Sequence, residues 1–216
     1  MKDEMFQTAP DIAYHIISQK ILDGEYQPGM KLSRRKMAEA TDVSVIPVIE
    51  ALKRLEEDGL VESKPQWGSF VTVPTRKKII QCYQVREAIE CQSARIISES
   101  ITPEQLSVLY SIANELDTVP YVEKSALDSR NNHLRFHNSL VEYTDNDLLV
   151  RTLNRINLFW VLCKALGARA SDIEYPRYWH RKLLDEIATG NPERAEAAMR
   201  EHVLDSLGPV LKTLDG

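Results

Sequence analysis

The chain has 216 residues, of which 43% are apolar and 27% charged, and its formal net charge is −5. This composition predicts packed cores in one large or two small domains, and it argues against a protein that binds nucleic acid over its whole surface. No apolar run reaches 18 residues, and the first residues, MKDEMFQTAPD, lack the apolar stretch of a secretory signal. We therefore expect a cytoplasmic protein with no membrane partner.

The three cysteines, Cys82, Cys91 and Cys163, are widely spaced and form no CxxC pattern. Thiols with this spacing are typical of buried side chains in a reducing cytoplasm. Oxidised pairing is the less favoured alternative.

The chain begins with a predicted helix over residues 8–24, with Pro10 in its first turn and Gly24 at its end. Its apolar stripe consists of Ala13, Ile16, Ile17 and Ile21. Residues 25–31 are predicted to form a loop. A second helix then runs to Ala40, and residues 41–43 form a tight turn.

The next helix is predicted to start after a capping Ser44, with Pro47 in its first turn and Gly59 at its C-terminal end. Residues 60–62 and 69–73 alternate like two short strands, and Pro65, Gln66, Trp67 and Gly68 supply the turn. This order of helix, turn, helix and hairpin predicts a winged helix-turn-helix. The second helix of such a module enters the DNA major groove, and the hairpin wing lies beside the backbone.

Residues 24–71 contain a long series of spaced positions: Gly24, Pro28-Gly29, Leu32, Ala38, Ser44, Pro47-Val48, Glu50-Ala51-Leu52, Leu55, Glu57, Gly59-Leu60-Val61 and Gly68-Ser69-Phe70-Val71. This series resembles the N-terminal domain of the GntR family of bacterial transcription regulators. The resemblance covers about the first third of the chain and implies a DNA-binding domain at residues 1–74.

Local charge differs from the overall balance. Residues 28–54 carry six basic and three acidic side chains, a local charge of +3, and the following residues 56–62 are acidic. The positive face is therefore expected to be small and the DNA affinity modest and sensitive to salt. For Lys53 and Arg54 an ordinary solvated surface remains an equal alternative.

From Thr75 to Leu166 the chain has no glycine, and helical patterns continue to its end. Six helices are predicted, at about 75–100, 103–118, 122–143, 147–167, 174–189 and 192–213. The fold class is thus mainly α, an N-terminal winged helix-turn-helix followed by an all-helical bundle at residues 75–216.

Four histidines fall in this bundle. His133 and His137 share one helix face, and His180 and His202 lie eleven residues before and after the turn at Asn191. In an antiparallel helix pair the last two rings therefore lie at the same height, roughly 16 Å from the turn. Converging neutral imidazoles favour a divalent transition metal, zinc or nickel. A histidine alone on an apolar face is more often a satisfied core residue.

Residues 75–216 also resemble the FCD ligand-binding domain of the FadR subgroup of GntR regulators. The pattern consists of Phe136-His137 followed by Asn146-x-Leu148-Leu149, of Arg86-x-x-Ile89-Glu90, and of His137, His180 and His202 at three metal-ligand positions. The family's aspartate position is His133 here. A site of four histidines is expected to bind metal less tightly and to disfavour manganese. His133 as a ligand-binding group is the alternative.

The FCD resemblance further implies a pocket for a small acid that completes the metal coordination. Arg86 is the candidate to grip its carboxylate, because a planar guanidinium suits bidentate pairing. A structural ion pair between Arg86 and Glu90 is an equal alternative. Asn157 interrupts an apolar stripe and is a weaker candidate for the same pocket.

GntR modules typically carry arginine after the capping serine, again four residues later, and before the wing glycine. This chain has Val45, Ile49 and Trp67 there. We expect an A·T-leaning operator read through thymine methyl groups. The predicted DNA-binding residues are Arg34, Arg35, Ser44, Val45, Ile46, Ile49, Lys53, Lys64, Trp67 and Gly68. Alternatively, the apolar residues cover a buried or partner surface.

The favoured function is a homodimeric transcription regulator whose binding to operator DNA is controlled by a small organic acid. A metal-dependent enzyme is disfavoured, since the chain has no HExxH, serine elbow or phosphate loop. An interaction protein with degenerate DNA binding is the third alternative.

Overall fold

The computed structural model describes residues 8–118, 126–167 and 178–212. Apart from Val161–Ala165, the residues up to Pro74 form one compact unit and those from Thr75 onward form another. Within the described ranges, no helix is both long and apolar enough to cross a membrane.

The first unit contains three helices, α1 (Ala9–Leu22), α2 (Arg34–Thr41) and α3 (Val45–Glu57). A capping box between Thr8 and Asp11 starts α1, with proline in the first turn. Helix α1 packs against both α2 and α3. Their shared core includes Ala13, Ile17, Ile21, Met37, Val48, Ala51, Leu52 and Leu55.

The two ends of α3 differ in how well the sequence predicts them. At its C-terminus Gly59 has φ +80°, and the N–H groups of Gly59 and Leu60 donate to the carbonyls of Glu56 and Leu55 at 3.0 and 2.9 Å. This is the glycine-terminated Schellman motif. At the N-terminus Ser44 occupies the cap position as predicted, but its side chain makes no capping hydrogen bond within the described chain. The Ser44 hydroxyl is therefore not used to start the helix.

A three-stranded antiparallel sheet completes the unit, with β1 (Lys31–Leu32), β2 (Val61–Lys64) and β3 (Gly68–Val71) in the order β1-β3-β2. The predicted hairpin is present, with each strand displaced by one or two residues. β1 begins at Lys31, the last residue of the predicted loop. Two residues are too short to show an alternating pattern, so the sequence gives no signal for this strand.

The second unit is helical throughout its described residues, which confirms the predicted fold class. Its helices are α4 (Arg76–Ser100), α5 (Pro103–Thr118), α6 (Ala126–Glu142), α7 (Asp147–Gly167), α8 (Trp179–Ile187), α9 (Pro192–Asp205) and α10 (Leu207–Lys212). The predicted helix starts at residues 122 and 174, and the predicted end at residue 213, lie outside the described residues.

One long final helix was expected, and this prediction is wrong, because the helix breaks at Ser206. Pro209 has no N–H to donate to the carbonyl of Asp205, four residues earlier, and its ring crowds that carbonyl. The Ser206 hydroxyl instead donates to the Val203 carbonyl at 2.8 Å. The break separates α9 from α10.

Helix α4 packs chiefly against α9, and α8 packs against α5 and α9. The side chains of Cys82 and Cys91 are free thiols buried on α4, as predicted for them. Burial raises their pKa values to about 11 and about 12. The prediction for Cys163 lies outside the described side chains.

Candidate functional site

Helix α6 presents two imidazoles from one face, as the four-residue spacing predicts. The ring centroids of His133 and His137 are 4.6 Å apart, and their Nε2 atoms approach to 3.1 Å. Phe136 packs edge-on against His137, with the centroids 5.5 Å apart. The two Nε2 atoms therefore face each other across a short gap at the inner side of α6.

Helices α8 and α9 bring the other two imidazoles to the same place. The ring centroids of His180 and His202 are 5.0 Å apart. His180 lies 5.4 Å from His133, and His202 lies 5.2 Å from His137. The equal heights predicted for His180 and His202 thus agree with the observed packing. We call these four side chains the imidazole cluster.

Three nitrogens of the cluster are buried without a hydrogen-bond partner in the described chain: Nε2 of His180 and both ring nitrogens of His202. The ring of Trp179 stacks on His202 at a centroid distance of 3.9 Å. A buried polar atom without a partner costs about 1–3 kcal/mol. This arrangement therefore suits an additional electrophile or hydrogen-bond donor better than a closed apolar core.

Burial also controls the protonation of two rings. It lowers the pKa of His137 and brings the pKa of His202 well below its usual value, and the neighbouring His180 and His137 lower the latter further. Both imidazoles are therefore held in the neutral form. Neutral imidazole is the form that ligates metal.

A buried chain of charged groups supports His137 from α4. The Nε of Arg86 donates to Oε1 of Glu90 at 2.8 Å, and Oε2 of Glu90 bonds Nδ1 of His137. Burial alone would raise the pKa of Glu90, but Arg86 and His137 together lower it to about 2. The structural pair of Arg86 with Glu90, one of two alternatives from the sequence, is thus present.

Helix α5 supports His180 in a parallel way. Oδ1 of Asp117 lies 2.7 Å from Nδ1 of His180. The same carboxylate accepts the backbone N–H of His180 at 3.3 Å and that of Arg181 at 3.0 Å. A carboxylate behind a ligating imidazole fixes its tautomer and turns its other nitrogen outward. Glu90 and Asp117 contact the Nδ1 atoms of His137 and His180, so the Nε2 atom of each ring faces away from its carboxylate.

Asn157 is buried on α7, and its Nδ2 donates to Oδ1 of Asn138 at 2.7 Å. Asn138 follows His137 along α6. Successive residues point about 100° apart around a helix, so this contact links Asn157 to the face beside the imidazole cluster. The predicted approach of Asn157 to a pocket stays a prediction.

The first unit presents apolar side chains at the start of α3. Val45, Ile46 and Ile49 are 41%, 70% and 40% exposed, whereas Val48 in the same turns is fully buried. The expectation that this part of α3 faces outward therefore agrees with the structure of this unit. We call Val45, Ile46 and Ile49 the apolar patch.

Exposed cations accompany the apolar patch on neighbouring elements. Arg34 and Arg35 open α2, and Lys53 lies farther along α3. Nε of Arg35 lies 3.3 Å from Glu39 on the surface. Lys64 of β2 lies 3.3 Å from Glu62 and 4.9 Å from the centre of the Phe70 ring. Exposed pairs of this kind are weak, so they leave the cations able to meet phosphates.

The wing ends in a tight turn between β2 and β3. Gln66 and Gly68 have φ of +65° and +99°, and the N–H of Trp67 donates to the carbonyl of Lys64 at 3.0 Å. This geometry leaves Trp67 70% exposed at the tip. The predicted contact of Trp67 with DNA stays a prediction.

Sequence reasoning missed Asp117 and Trp179 and assigned Glu90 only to Arg86. Asp117 gives no periodic signal, because its partner is 63 residues away in the chain. Trp179 does give a signal in the sequence. It directly precedes His180 at the start of an apolar helix, and a side chain of its size can reach the neighbouring helix.

The first unit has the fold of a winged helix-turn-helix, and the second unit is a helical domain that contains the imidazole cluster. Residues 11–71 match the model of bacterial regulatory proteins of the gntR family, and residues 81–205 match that of the FCD domain. The second match alone covers more than half of the chain. The chain therefore belongs to the GntR family of transcription regulators that carry an FCD domain.

The similarity to known proteins extends over most of each chain. The uncharacterised HTH-type transcriptional regulator YdhC of Bacillus subtilis is 24% identical, over 88% of this chain and 84% of its own. The HTH-type transcriptional repressor RspR of Escherichia coli is 29% identical, over 88% and 83%. A GntR-type transcriptional regulator from Rhodococcus sp. RHA1, 23% identical, has the same fold, with a TM-score of 0.76 over 94% of this chain and 97% of its own. The family consists of transcription regulators and not of enzymes.

Proposed function

We propose that this regulator binds its operator as a homodimer and that a small organic acid, held together with a divalent metal in the helical domain, controls that binding. Residues 1–74 form the DNA-binding domain, and residues 75–216 form the domain for ligand, metal and dimerisation. The protein acts in the cytoplasm, where its DNA and its metabolites are found. The observation that carries the proposal is the imidazole cluster, in which three buried nitrogens have no hydrogen-bond partner among the described residues.

FCD domains are often metal-binding, and the donor set here fits a metal. The side chains that would hold it are His133, His137, His180 and His202. No group of three or more His, Cys, Asp or Glu side chains in the described ranges already has the geometry of a metal site. Because χ2 of histidine is a broad torsion, the rings can turn towards a common point at small cost. Glu90 and Asp117 then orient His137 and His180 through their Nδ1 atoms.

Zinc or nickel is the metal that this set favours, because imidazole suits both and no carboxylate belongs to the set. A metal held by three or four protein nitrogens supplies a Lewis-acidic position for an anionic ligand. Arg86 lies behind Glu90 in the chain of contacts and carries a planar guanidinium whose further N–H groups suit a carboxylate. A small acid between the metal and Arg86 would be held by two positive groups.

Control of DNA binding follows if the acid prefers one of two arrangements of the dimer. A ligand shifts such an equilibrium only by its difference in affinity for the two states. Two copies of α3 then meet two half-sites of a pseudo-palindrome. Val45, Ile49 and Trp67 stand where the family typically carries arginine, so the operator leans towards A·T pairs.

Metal content is the first test. The purified protein, its His202→Ala variant and a His15→Ala control would be analysed for bound zinc and nickel. His15 is exposed on α1, so its loss should leave the metal content unchanged. We expect close to one metal per chain in the wild type and the control, and much less in His202→Ala. Equal metal in all three proteins would contradict the assignment.

The second test measures whether metal removal and small acids change operator binding. Fragmented genomic DNA would be captured at about 150 mM salt, with and without a chelator and with a panel of small carboxylic acids. Recovery of a few palindromic sites whose occupancy changes with one acid supports the proposal. Sites that ignore both chelator and acids would leave a regulator without effector control. No recovery at all would favour the interaction-protein alternative.

A further inference from the structure

We propose that the apolar patch recognises the C5-methyl groups of pyrimidines in the major groove, so that thymine and 5-methylcytosine are read alike. The inference deepens the proposed operator binding and rests on it. Its content is narrower than a preference for A·T pairs. It assigns the recognition to one chemical group, which can be removed or added without changing base pairing.

The apolar patch lies outside the buried core of the first unit. The inner side of α3 is already closed by Val48, Ala51, Leu52 and Leu55, which are at most 3% exposed. Ile46 is 70% exposed, the same fraction as Trp67. Single exposed apolar residues are common on protein surfaces. Three branched aliphatic side chains that lie together more often mark a contact site.

The position of the apolar patch at the start of α3 favours contact with DNA. In a helix-turn-helix the N-terminal residues of the recognition helix contact base edges. Val45, Ile46 and Ile49 occupy the first two turns of α3, where residues 45–52 include no arginine, lysine, asparagine or glutamine. The side chains that ordinarily read guanine and adenine are therefore missing from this stretch of sequence.

The charges around the patch favour nucleic acid over a protein partner. The residues flanking it on α2, α3 and the strands include exposed cations: Lys31, Arg34, Arg35, Lys36, Lys53 and Lys64. Glu50 is the exposed carboxylate within the same two turns. Glu39 on α2 and Asp42 in the turn before α3 are also exposed, so residues 31–54 carry six cations and three carboxylates. An apolar centre with this excess of cations around it matches a groove floor between two phosphate backbones.

The chemical groups in the major groove indicate which of them the apolar patch can bind. Base edges in the major groove offer hydrogen-bond donors, hydrogen-bond acceptors and one apolar group, the C5-methyl. Valine and isoleucine side chains gain by burying a methyl group and cannot satisfy the polar atoms. Glu50 can accept from the exocyclic amine of cytosine, which is retained in 5-methylcytosine.

The test separates the methyl group from the base pair. One genomic library would be amplified in three forms, with thymine, with uracil in place of thymine, and with thymine plus 5-methylcytosine in place of cytosine. Sites captured from the first library would then be measured as defined duplexes. We expect each methyl in contact with the patch to contribute about fourfold in affinity. Uracil at those positions should weaken binding accordingly.

Two variants distinguish recognition of the methyl group from contact with phosphates. Ile49→Ala should reduce the thymine-over-uracil ratio at one position of the site and leave the salt dependence unchanged. Lys53→Gln should weaken binding to both duplexes equally and lower the slope of log affinity against log salt by about 1. Thermal unfolding of each variant checks that the first unit stays folded, which the exposure of both side chains leads us to expect.

The outcomes distinguish this inference from the function on which it rests. Sites recovered with thymine and bound equally with uracil would overturn methyl recognition and leave operator binding intact. Sites that weaken with uracil, and new sites that appear with 5-methylcytosine, would support it. If no library yields a site, operator binding itself fails, the inference fails with it, and the apolar patch is a protein-docking surface.

Discussion

Oδ1 of Asp117 on α5 lies 2.7 Å from Nδ1 of His180 on α8. The same carboxylate also accepts two backbone N–H groups from the first turn of α8. Tyr178, the N-cap residue of that helix, makes no side-chain capping bond in the described chain. One remote side chain thus caps a helix and holds an imidazole in a single tautomer, so the start of α8 and the imidazole cluster depend on the same group.

Replacing Asp117 by alanine should therefore affect two measurements together. Loss of a helix cap typically costs about 1 kcal/mol of the free energy of unfolding, and loss of an outer carboxylate typically lowers metal affinity by about 10–100-fold. Urea unfolding and metal titration measure the two effects. Asp185→Ala is the matched control, because Asp185 bonds Tyr110 between the same two helices. It should lower stability without changing metal affinity.

The buried pair of Arg86 and Glu90 should show strong coupling. Arg86→Met leaves the Glu90 carboxylate buried with less compensation, which typically costs about 3–5 kcal/mol. The double variant Arg86→Met, Glu90→Gln removes both charges and should cost less than the sum of the single changes. Urea unfolding of the wild type, Arg86→Met, Glu90→Gln and the double variant gives the coupling energy. Additive effects would show that the two groups contribute independently.

The two thiols of α4 should be unreactive at neutral pH. Their pKa values of about 11 and about 12 leave only about a thousandth or less of each as thiolate at pH 8. In a Cys163→Ser background, labelling by Ellman's reagent should be at least about a hundredfold slower in the folded protein than in urea. Fast labelling of the folded protein would contradict the burial of Cys82 and Cys91.

These raised pKa values also fix the sign of a pH effect. Unfolded thiols release their protons near pH 9, whereas the folded state keeps them. The contribution of the thiols to stability is therefore fully present below pH 9 and is lost as the pH rises towards 11. Urea midpoints between pH 8 and 11 should fall less steeply in a Cys82→Ala, Cys91→Ala protein.

Two glycines of the helical unit should respond to alanine with opposite signs. Gly190 follows the end of α8 with φ +69°, a conformation that costs an L-residue about 1–2 kcal/mol. Gly208 lies within α10, and an added Cβ there would meet no atom within 4 Å of the described chain. Gly208→Ala should stabilise by about 0.5–1 kcal/mol. Denaturant midpoints of the two variants, measured side by side, test the assignment.

Trp67 offers a test of the wing. Because its side chain is 70% exposed, Trp67→Ala should leave the unfolding midpoint unchanged. It should weaken binding to all DNA sequences similarly, without changing the salt slope, since no charge is lost. Val85→Ala, another exposed apolar change in the helical unit, should leave DNA binding as it is. A sequence-dependent loss would place Trp67 against bases instead.

Spacing alone was enough to predict much of the site. The four-residue interval of His133 and His137, and the equal distances of His180 and His202 from Asn191, follow from helix geometry. The support behind these rings could not be predicted in the same way. Glu90 and Asp117 reach the rings from other helices, and only the packing of α4 and α5 decides which polar side chain faces inward.

Local departures from regular sequence patterns limited the prediction of the other elements. β1 pairs Lys31 and Leu32 with β3 over only two residues, and the break before α10 depends on Pro209 within an otherwise helical pattern. Ser44 has the residue type of a cap, but the choice between capping and an exposed hydroxyl depends on its rotamer. Residue type predicts such positions, and the side-chain conformation decides their role.

The separation of the two faces of α3 has an evolutionary consequence. The residues that fold this helix and the residues that point outward from it are different residues, so a change at position 45, 46 or 49 leaves the core of the first unit intact. If these side chains read the operator as proposed, a lineage can exchange them one at a time and acquire a new set of target genes without passing through an unstable intermediate.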